Sequence, residues 1–184
     1  IPLISELRKS GVETLIGGSP AHIALLQNEL PDLKVVPIPY SRIKFSARNS
    51  QALAVAAQVP RLLWNIYREH RALRKIIRDY KPDAVIADNC YGLWNPKVRS
   101  IFITHQLNIR LPRSLSLLQR PINRLNHWFI RQFDECWVPD LPDERGVAGD
   151  LSRAGEMATR TSYIGLLSRF GEIPASLVSG KNPS

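Results

Sequence analysis

The side chain with the clearest chemical potential in this 184-residue sequence is His105. It directly follows the apolar run that ends at Thr104, and its neighbours Gln106 and Asn108 are polar. An imidazole in such surroundings can act as a general base or bind an anion, although it can also be a structural group that hydrogen-bonds nearby backbone. The other histidines fall within helical patterns, where packing or solvent contact is expected: His22, His70 and His127.

Two further polar segments have potential ligand-binding chemistry. Asp88 and Asn89 follow the apolar residues 84–87 and precede Cys90, Tyr91 and Gly92. Their side chains can hydrogen-bond a sugar hydroxyl, but an Asx turn is the simpler structural interpretation. The second segment consists of Gly17, Gly18 and Ser19, which precede a helical pattern. These residues can cradle a phosphate at a helix amino terminus, although such a glycine pair is more often only a turn.

Strands and helices alternate along the chain, which predicts an α/β fold with a doubly wound, mostly parallel, Rossmann-like sheet. Ligands of such sheets bind beyond the carboxyl ends of the strands, so the polar segments named above should meet at one edge. Pro37 restricts its strand to an end or an edge, and Pro60 marks a helix break or a new helix start. The predicted strands are 12–16, 33–38, 84–87, 100–104, 135–138 and 161–164, and the main helices are 21–30, 50–80 and 115–133.

Composition limits the classes of protein to consider. Hydrophobic residues make up 44 % of the chain, enough for one packed domain, and no run of about 18 apolar residues predicts a membrane span. We therefore expect an intracellular, cytoplasmic protein. The two cysteines, Cys90 and Cys136, are expected to be free, buried thiols, and no metal-ligand spacing is present. The net charge of +9 favours anionic partners, or reflects only a solvated basic surface.

Several segments resemble the N-terminal domain of GT-B glycosyltransferases. The strand-plus-His-x-x-Asn segment at residues 101–108 matches that group, and residues 88–93 resemble its polar-glycine turn, although an arginine is expected where Cys90 stands. Residues 133–140 and 163–170 resemble its later strands. The nearest group is the one that transfers N-acetylglucosamine from its UDP-sugar, glycosyltransferase family 28, with its related bacterial members.

This resemblance implies an acceptor-side domain over residues 1–167 and a linker over 168–184 that leads to a C-terminal domain. It also implies transfer of a sugar from a nucleotide-diphosphate donor, a UDP-sugar, to an acceptor, with no other cofactor and no metal. The usual base, in a Gly-rich loop, and most of the donor site lie outside these residues, so they should be inactive alone. His105 is the catalytic candidate, and Gly17, Gly18 and Ser19 are weak phosphate candidates. The acceptor-binding candidates are Asp88, Asn89, Tyr91, Gly92, Gln106 and Asn108.

A further strand is expected before Ile1, in the middle of the sheet, because the opening helix otherwise has no strand to cross over from. Two other functions stay open: a sugar-nucleotide epimerase of the same two-domain architecture, and a non-catalytic module that binds a glycan or lipid-linked sugar. Nucleic-acid binding is disfavoured because interleaved aromatics and a known motif are missing. The resemblance also implies an acceptor that can be carried on lipid. Peripheral contact with an anionic inner-membrane face is expected from the basic face of residues 61–81 and from five further arginines, although all of them can equally be a solvated face: Arg110, Arg113, Arg120, Arg124 and Arg131.

Overall fold

The structure is a computed structural model that describes residues 2–39, 51–111, 116–141 and 160–165, with residues 51–58 described by their backbone alone. The helices of these residues are α1 (Pro2–Lys9), α2 (Pro20–Glu29), α3 (Gln51–Tyr80) and α4 (Ser116–Ile130). The strands are β1 (Leu15–Gly18), β2 (Lys34–Pro37), β3 (Ala84–Asp88), β4 (Arg99–Ile103), β5 (Glu135–Val138) and β6 (Arg160–Tyr163).

These strands form two parallel sheets, one of order β1-β2 and one of order β3-β4-β5-β6. The α/β class with parallel strands is therefore confirmed. The single continuous sheet that the sequence predicted is not formed within the described residues, because no ladder joins β1 or β2 to the other four strands. The strand expected before Ile1 stays a prediction, and the linker at 168–184 lies outside the described residues.

The register of the four-stranded sheet places the ends of its strands at one edge. Asp88 of β3 lies opposite Ile103 of β4, and Ile103 in turn lies opposite Trp137 of β5. Val138 lies opposite Tyr163 of β6. The loops that begin at residues 89, 104 and 139 therefore leave the sheet side by side, which brings their polar side chains to one edge.

The hydrophobic core lies between this sheet and its helices. Phe102 and Cys136, from the central strands, have no solvent exposure, and neither has Ile130 of α4. Leu73 of α3 and Phe133, which follows α4, complete the packing. The Phe102 and Phe133 ring centroids are 4.9 Å apart. Buried β-strand positions follow one another without alternation in β4, as expected for a strand covered on both faces.

Three sequence predictions need correction or refinement. β1 runs through Gly17 and Gly18, because both pair with β2, opposite Val36 and Pro37; the predicted strand at 12–16 was placed too early. α3 continues through Pro60 without the predicted break. Both cysteines are free, as predicted, but only Cys136 is fully buried; Cys90 is half-buried.

Candidate functional site

A hydrogen-bonded polar network joins the ends of β3 and β4. The Asn89 backbone N–H donates to the Ile103 carbonyl at 3.1 Å, and its side-chain oxygen accepts from the Thr104 hydroxyl at 2.7 Å. The Asn89 amide nitrogen donates to an Asp88 carboxylate oxygen at 3.1 Å, while the Thr104 hydroxyl oxygen accepts from the Gln106 N–H at 3.0 Å. Asn89 has a φ of 50°, a left-handed conformation that asparagine tolerates better than most residues. The sequence-predicted residues Asp88, Asn89 and Gln106 thus meet at one edge.

His105 lies between two members of this network. Thr104 is buried, whereas His105 and Gln106 are exposed. Within the described part of the chain, the imidazole makes no hydrogen bond. Asn108, three residues on, is half-buried. The arrangement places one exposed imidazole beside amide and hydroxyl groups that hydrogen bonds hold in position.

The loop that carries His105 is fixed at its far end by two amide side chains of α4. The Asn123 side-chain oxygen accepts from the Ile109 N–H at 2.7 Å, and the Gln119 oxygen accepts from the Leu111 N–H at 2.7 Å. The Gln119 amide nitrogen also donates to the Ile109 carbonyl. Loop backbone that would otherwise need water is therefore bonded to the helix.

Asn126 and His127, one turn further along α4, hold the middle of the same loop. The buried Asn126 donates to the Leu107 carbonyl at 2.9 Å, and its oxygen accepts from the Tyr91 hydroxyl at 2.6 Å. The His127 Nε2 lies 3.0 Å from the Leu107 carbonyl, an acceptor, so this nitrogen donates. Asn126 thus connects the loop after β3 with the loop after β4.

The loop after β3 is held from α3 through Gly92. The Glu69 carboxylate accepts from the Gly92 N–H at 3.0 Å, and His70 Nδ1 lies 3.2 Å from the Gly92 carbonyl. A Cβ at Gly92 would lie 2.3 Å from the Ile66 carbonyl oxygen, so this close approach requires glycine. Burial raises the pKa of Glu69, and the Gly92 hydrogen bond offsets this only partly.

Two of the predicted acceptor-binding residues, Tyr91 and Gly92, are packed and hydrogen-bonded inside the fold. The Tyr91 ring packs on Phe102 and Phe129, with centroids 5.0 and 5.6 Å away, and burial raises the pKa of its phenol to about 12. Gly92 is buried with both backbone groups bonded. Burial also raises the pKa of Cys90 to about 12, which leaves this thiol protonated and unreactive at neutral pH.

The predicted phosphate-binding residues lie in the other sheet. Gly17 and Gly18 are strand residues with paired backbone, and the Gly18 carbonyl accepts from the Ile38 N–H at 3.0 Å. The free glycine turn expected there is therefore absent. Ser19 caps α2, since its hydroxyl oxygen accepts from the His22 N–H at 3.4 Å. Of the predicted arrangement, one part is present in the structure: the amino terminus of α2 directly follows a strand.

Two concave surfaces of the described residues lie away from this polar edge. A shallow cavity of about 460 Å³ is lined by residues 96–99 with Asp134 and Glu135, at the amino ends of β4 and β5. The pKa of Glu135 is lowered mainly by its hydrogen bond from Arg99 and then by the bond from Trp137. These charges form ion pairs that bridge the amino ends of the strands, so the polar network at the opposite edge is the better candidate site.

Sequence reasoning missed the side chains that hold the two loops. The sequence pattern that could have revealed them is a set of polar residues in α4. These residues are spaced by four and three positions, so they fall on one helix face that is otherwise apolar. Glu69 has the same kind of signal, since it stands on the apolar face of α3 between Ile66 and Leu73. The missed residues are Glu69, His70, Gln119, Asn123, Asn126 and His127.

Comparisons with known proteins add no relative. A scan against protein-family models, a search of curated proteins and a search of solved structures each found no match to this chain. In the described ranges, no three His, Cys, Asp or Glu side chains are grouped as metal ligands.

Proposed function

We propose that the chain is the acceptor-side part of a GT-B glycosyltransferase, which moves a sugar from a nucleotide-diphosphate donor, a UDP-sugar, to a hydroxyl-bearing acceptor. The observation that carries the proposal is the exposed, unbonded His105 at the carboxyl edge of β4, beside the Asp88–Asn89–Thr104 network. Acceptor hydroxyls need hydrogen-bonding partners with fixed positions, and this network offers a carboxylate, an amide and a hydroxyl.

In the proposed reaction, His105 acts on the proton of the acceptor hydroxyl. The acceptor oxygen attacks the anomeric carbon of the donor, the bond from that carbon to the diphosphate oxygen breaks, and the diphosphate leaves with the electron pair. The acceptor proton passes to the imidazole, or His105 holds the acceptor for another base. The resemblance to family 28 places most of the donor site in another domain, and the α2 amino terminus at Ser19 is a further place for a phosphate oxygen.

The bonds behind the edge support a binding role for it. Gln119, Asn123 and Asn126 fix the loop after β4 at successive points, and Glu69 fixes the loop after β3. A site whose loops are bonded before the ligand arrives loses less conformational entropy on binding. This prior fixing is what an acceptor site needs when the reacting hydroxyl must be placed within hydrogen-bond reach of a base.

The test uses the full-length protein with UDP-sugars, measuring release of UDP with and without candidate hydroxyl acceptors, including lipid-linked ones. We expect acceptor-dependent release. His105→Ala should lower turnover about 10-fold or more with an unchanged melting temperature. Gln27→Ala, an exposed change on α2, serves as the control and should leave both quantities unchanged.

The same assay separates the other functions. Conversion of the donor sugar without any acceptor would favour the epimerase, and glycan binding without donor consumption would favour a binding module. If His105→Ala keeps full turnover while the melting temperature falls, the imidazole is structural and the assignment of the acceptor proton to it is wrong.

A further inference from the structure

The backbone on both sides of His105 is hydrogen-bonded, although within the described residues its imidazole is not. The Thr104 N–H donates to the Trp137 carbonyl at 3.1 Å, which ties the residue before His105 to β5. The Gln106 N–H donates to the Thr104 hydroxyl at 3.0 Å, and the Gln106 carbonyl accepts from the Asn126 amide at 3.3 Å. The point from which the imidazole extends is therefore fixed by its neighbours in the chain.

Asn126 uses both ends of its side-chain amide. The nitrogen donates to the Leu107 carbonyl at 2.9 Å and to the Gln106 carbonyl at 3.3 Å, so both of its N–H groups have an acceptor. The oxygen accepts from the Tyr91 hydroxyl at 2.6 Å. Because the nitrogen faces two acceptors and the oxygen faces a donor, the partners fix the orientation of the amide. The two carbonyls belong to the first two residues after His105.

Tyr91 connects this arrangement to the loop after β3. Its ring packs on Phe102, with centroids 5.0 Å apart, so the hydroxyl is presented from a fixed position. The same loop begins with Asn89, whose side-chain oxygen accepts from the Thr104 hydroxyl at 2.7 Å. The two loops are therefore joined twice, by Asn89 and Thr104 at the edge and by Tyr91 and Asn126 behind it.

The helix that carries Asn126 is anchored in the core. Ile130, one turn further along α4, has no solvent exposure and belongs to the cluster around Phe102 and Cys136. Asn126 is itself only 3 % exposed, and bonds shielded from water in this way are costly to leave unmade. Within the described part of the chain, neither α4 nor another helix is long and apolar enough to cross a membrane.

From these contacts we propose that Asn126 is a positioning residue for His105. It holds the two peptide carbonyls that follow the histidine and ties them, through the Tyr91 hydroxyl, to the loop that carries Asp88 and Asn89. A base must lie within hydrogen-bond reach of the proton it accepts, and a displacement of about 1 Å can cost a large part of the rate. The effect on turnover rests on the proposed function, whereas the placement of the loop does not.

The kinetic test uses acceptor-dependent UDP release by the full-length protein. Asn126→Ala should lower kcat about 10-fold, with a smaller change in the acceptor KM. The double variant N126A/H105A should lose no more than His105→Ala alone, because Asn126 acts through the imidazole. Gln132→Ala is the control and should leave kcat unchanged, since the Gln132 amide bonds the Trp128 carbonyl, at the end of its own helix. Losses that add in the double variant would overturn the proposal, because a merely structural asparagine would act independently of His105.

Hydrogen exchange followed by mass spectrometry tests the placement with no sugar present. Segment 104–108 of Asn126→Ala should exchange about 10-fold faster than in the parent, at a temperature where circular dichroism shows both to be folded. Segment 61–80 of α3 should exchange as in the parent, and Gln132→Ala should match the parent in both segments. Unchanged exchange in 104–108, or an equal increase in α3, would overturn the proposal.

Tyr91→Phe keeps the test decisive where Asn126→Ala does not fold. The change removes one hydroxyl and keeps the ring in the core, so it should accelerate exchange in 104–108 and lower kcat in the same direction, by about 3-fold. Parent values for both quantities would overturn the proposal. If no UDP is released, or His105→Ala keeps full turnover, the proposed function fails, and the exchange measurement still decides whether Asn126 holds the loop.

Discussion

The four-stranded sheet and the two-stranded sheet are packed very differently. The first contains the buried cluster around Phe102 and Cys136, and side chains of α3 and α4 bond its loops. In the second, neither α1 nor α2 has a buried residue, and Leu33 and Val36 are its buried apolar side chains. An exposed ion pair joins Lys34 of β2 to Glu13, which precedes β1, and such pairs add little stability.

This difference in packing explains why the candidate residues are held in place to different degrees. His105, Asn89 and Gln106 stand on loops that a packed core and buried hydrogen bonds hold in place. Ser19 stands at the end of a two-stranded parallel sheet, an arrangement that is marginally stable without further covering. We therefore expect the loops after β3 and β4 to be ordered in advance and the region of β1 and β2 to respond more to binding partners.

The largest effect should come from Phe102→Ala. The ring has no exposure and contacts Tyr91 and Phe133, so its removal leaves a cavity that the surrounding strands cannot fill, at a cost of about 4 kcal/mol. Val36→Ala in β2 removes two carbons where Phe102→Ala removes six, and it should cost about 2 kcal/mol. Urea unfolding followed by circular dichroism measures both. A loss at Val36 as large as that at Phe102 would contradict the looser packing of the two-stranded sheet.

A smaller but sharper contrast is expected from two glycines. A Cβ at Gly92 would lie 2.3 Å from the backbone oxygen of Ile66, whereas one at Gly17 would lie 2.1 Å from Ile38 Cδ1, the end of a side chain. A side chain can rotate away and a helix carbonyl cannot. Gly92→Ala should cost about 3 kcal/mol and Gly17→Ala below about 1 kcal/mol. Thermal melts compare them, and the reverse order would mean that α3 can shift away from the loop.

The amino-acid sequence predicted the four-stranded region better than the two-stranded one. Continuous apolar runs give strands 84–87, 100–104 and 135–138, within a residue of β3, β4 and β5, because burial on both faces leaves an unambiguous pattern. The strand at 12–16 was displaced because Gly17 and Gly18 look like a turn, and only pairing with β2 makes them strand residues. Long-range pairing of that kind has no local signature.

The candidate site was predicted only in part, for a similar reason. Asp88, Asn89 and Gln106 follow strands, and strand ends can be located from sequence. Tyr91 looked equally polar there, but its hydroxyl is taken by Asn126, 35 residues away, and its ring joins the core. Which polar side chain faces a ligand and which faces the core depends on partners that only the fold brings together.

The smallest effect, and a direct test of how α3 holds the site, is the pH dependence of Glu69→Gln. Burial raises the folded-state pKa of Glu69 above its unfolded value, so its contribution to stability is full below the unfolded value near 4.5 and is lost as pH rises through the folded value. Glutamine keeps an oxygen for the Gly92 N–H and has no charge to bury. The stability of the variant relative to the parent should therefore increase as pH rises from about 4 to 7, by under about 1 kcal/mol.

Glu135→Gln is the control with the opposite sign, since the pKa of Glu135 is lowered by Arg99 and its contribution is lost as pH falls. Urea unfolding at several pH values measures both slopes, and parallel curves for the parent and Glu69→Gln would show that the Glu69 carboxylate is not charged at a buried site.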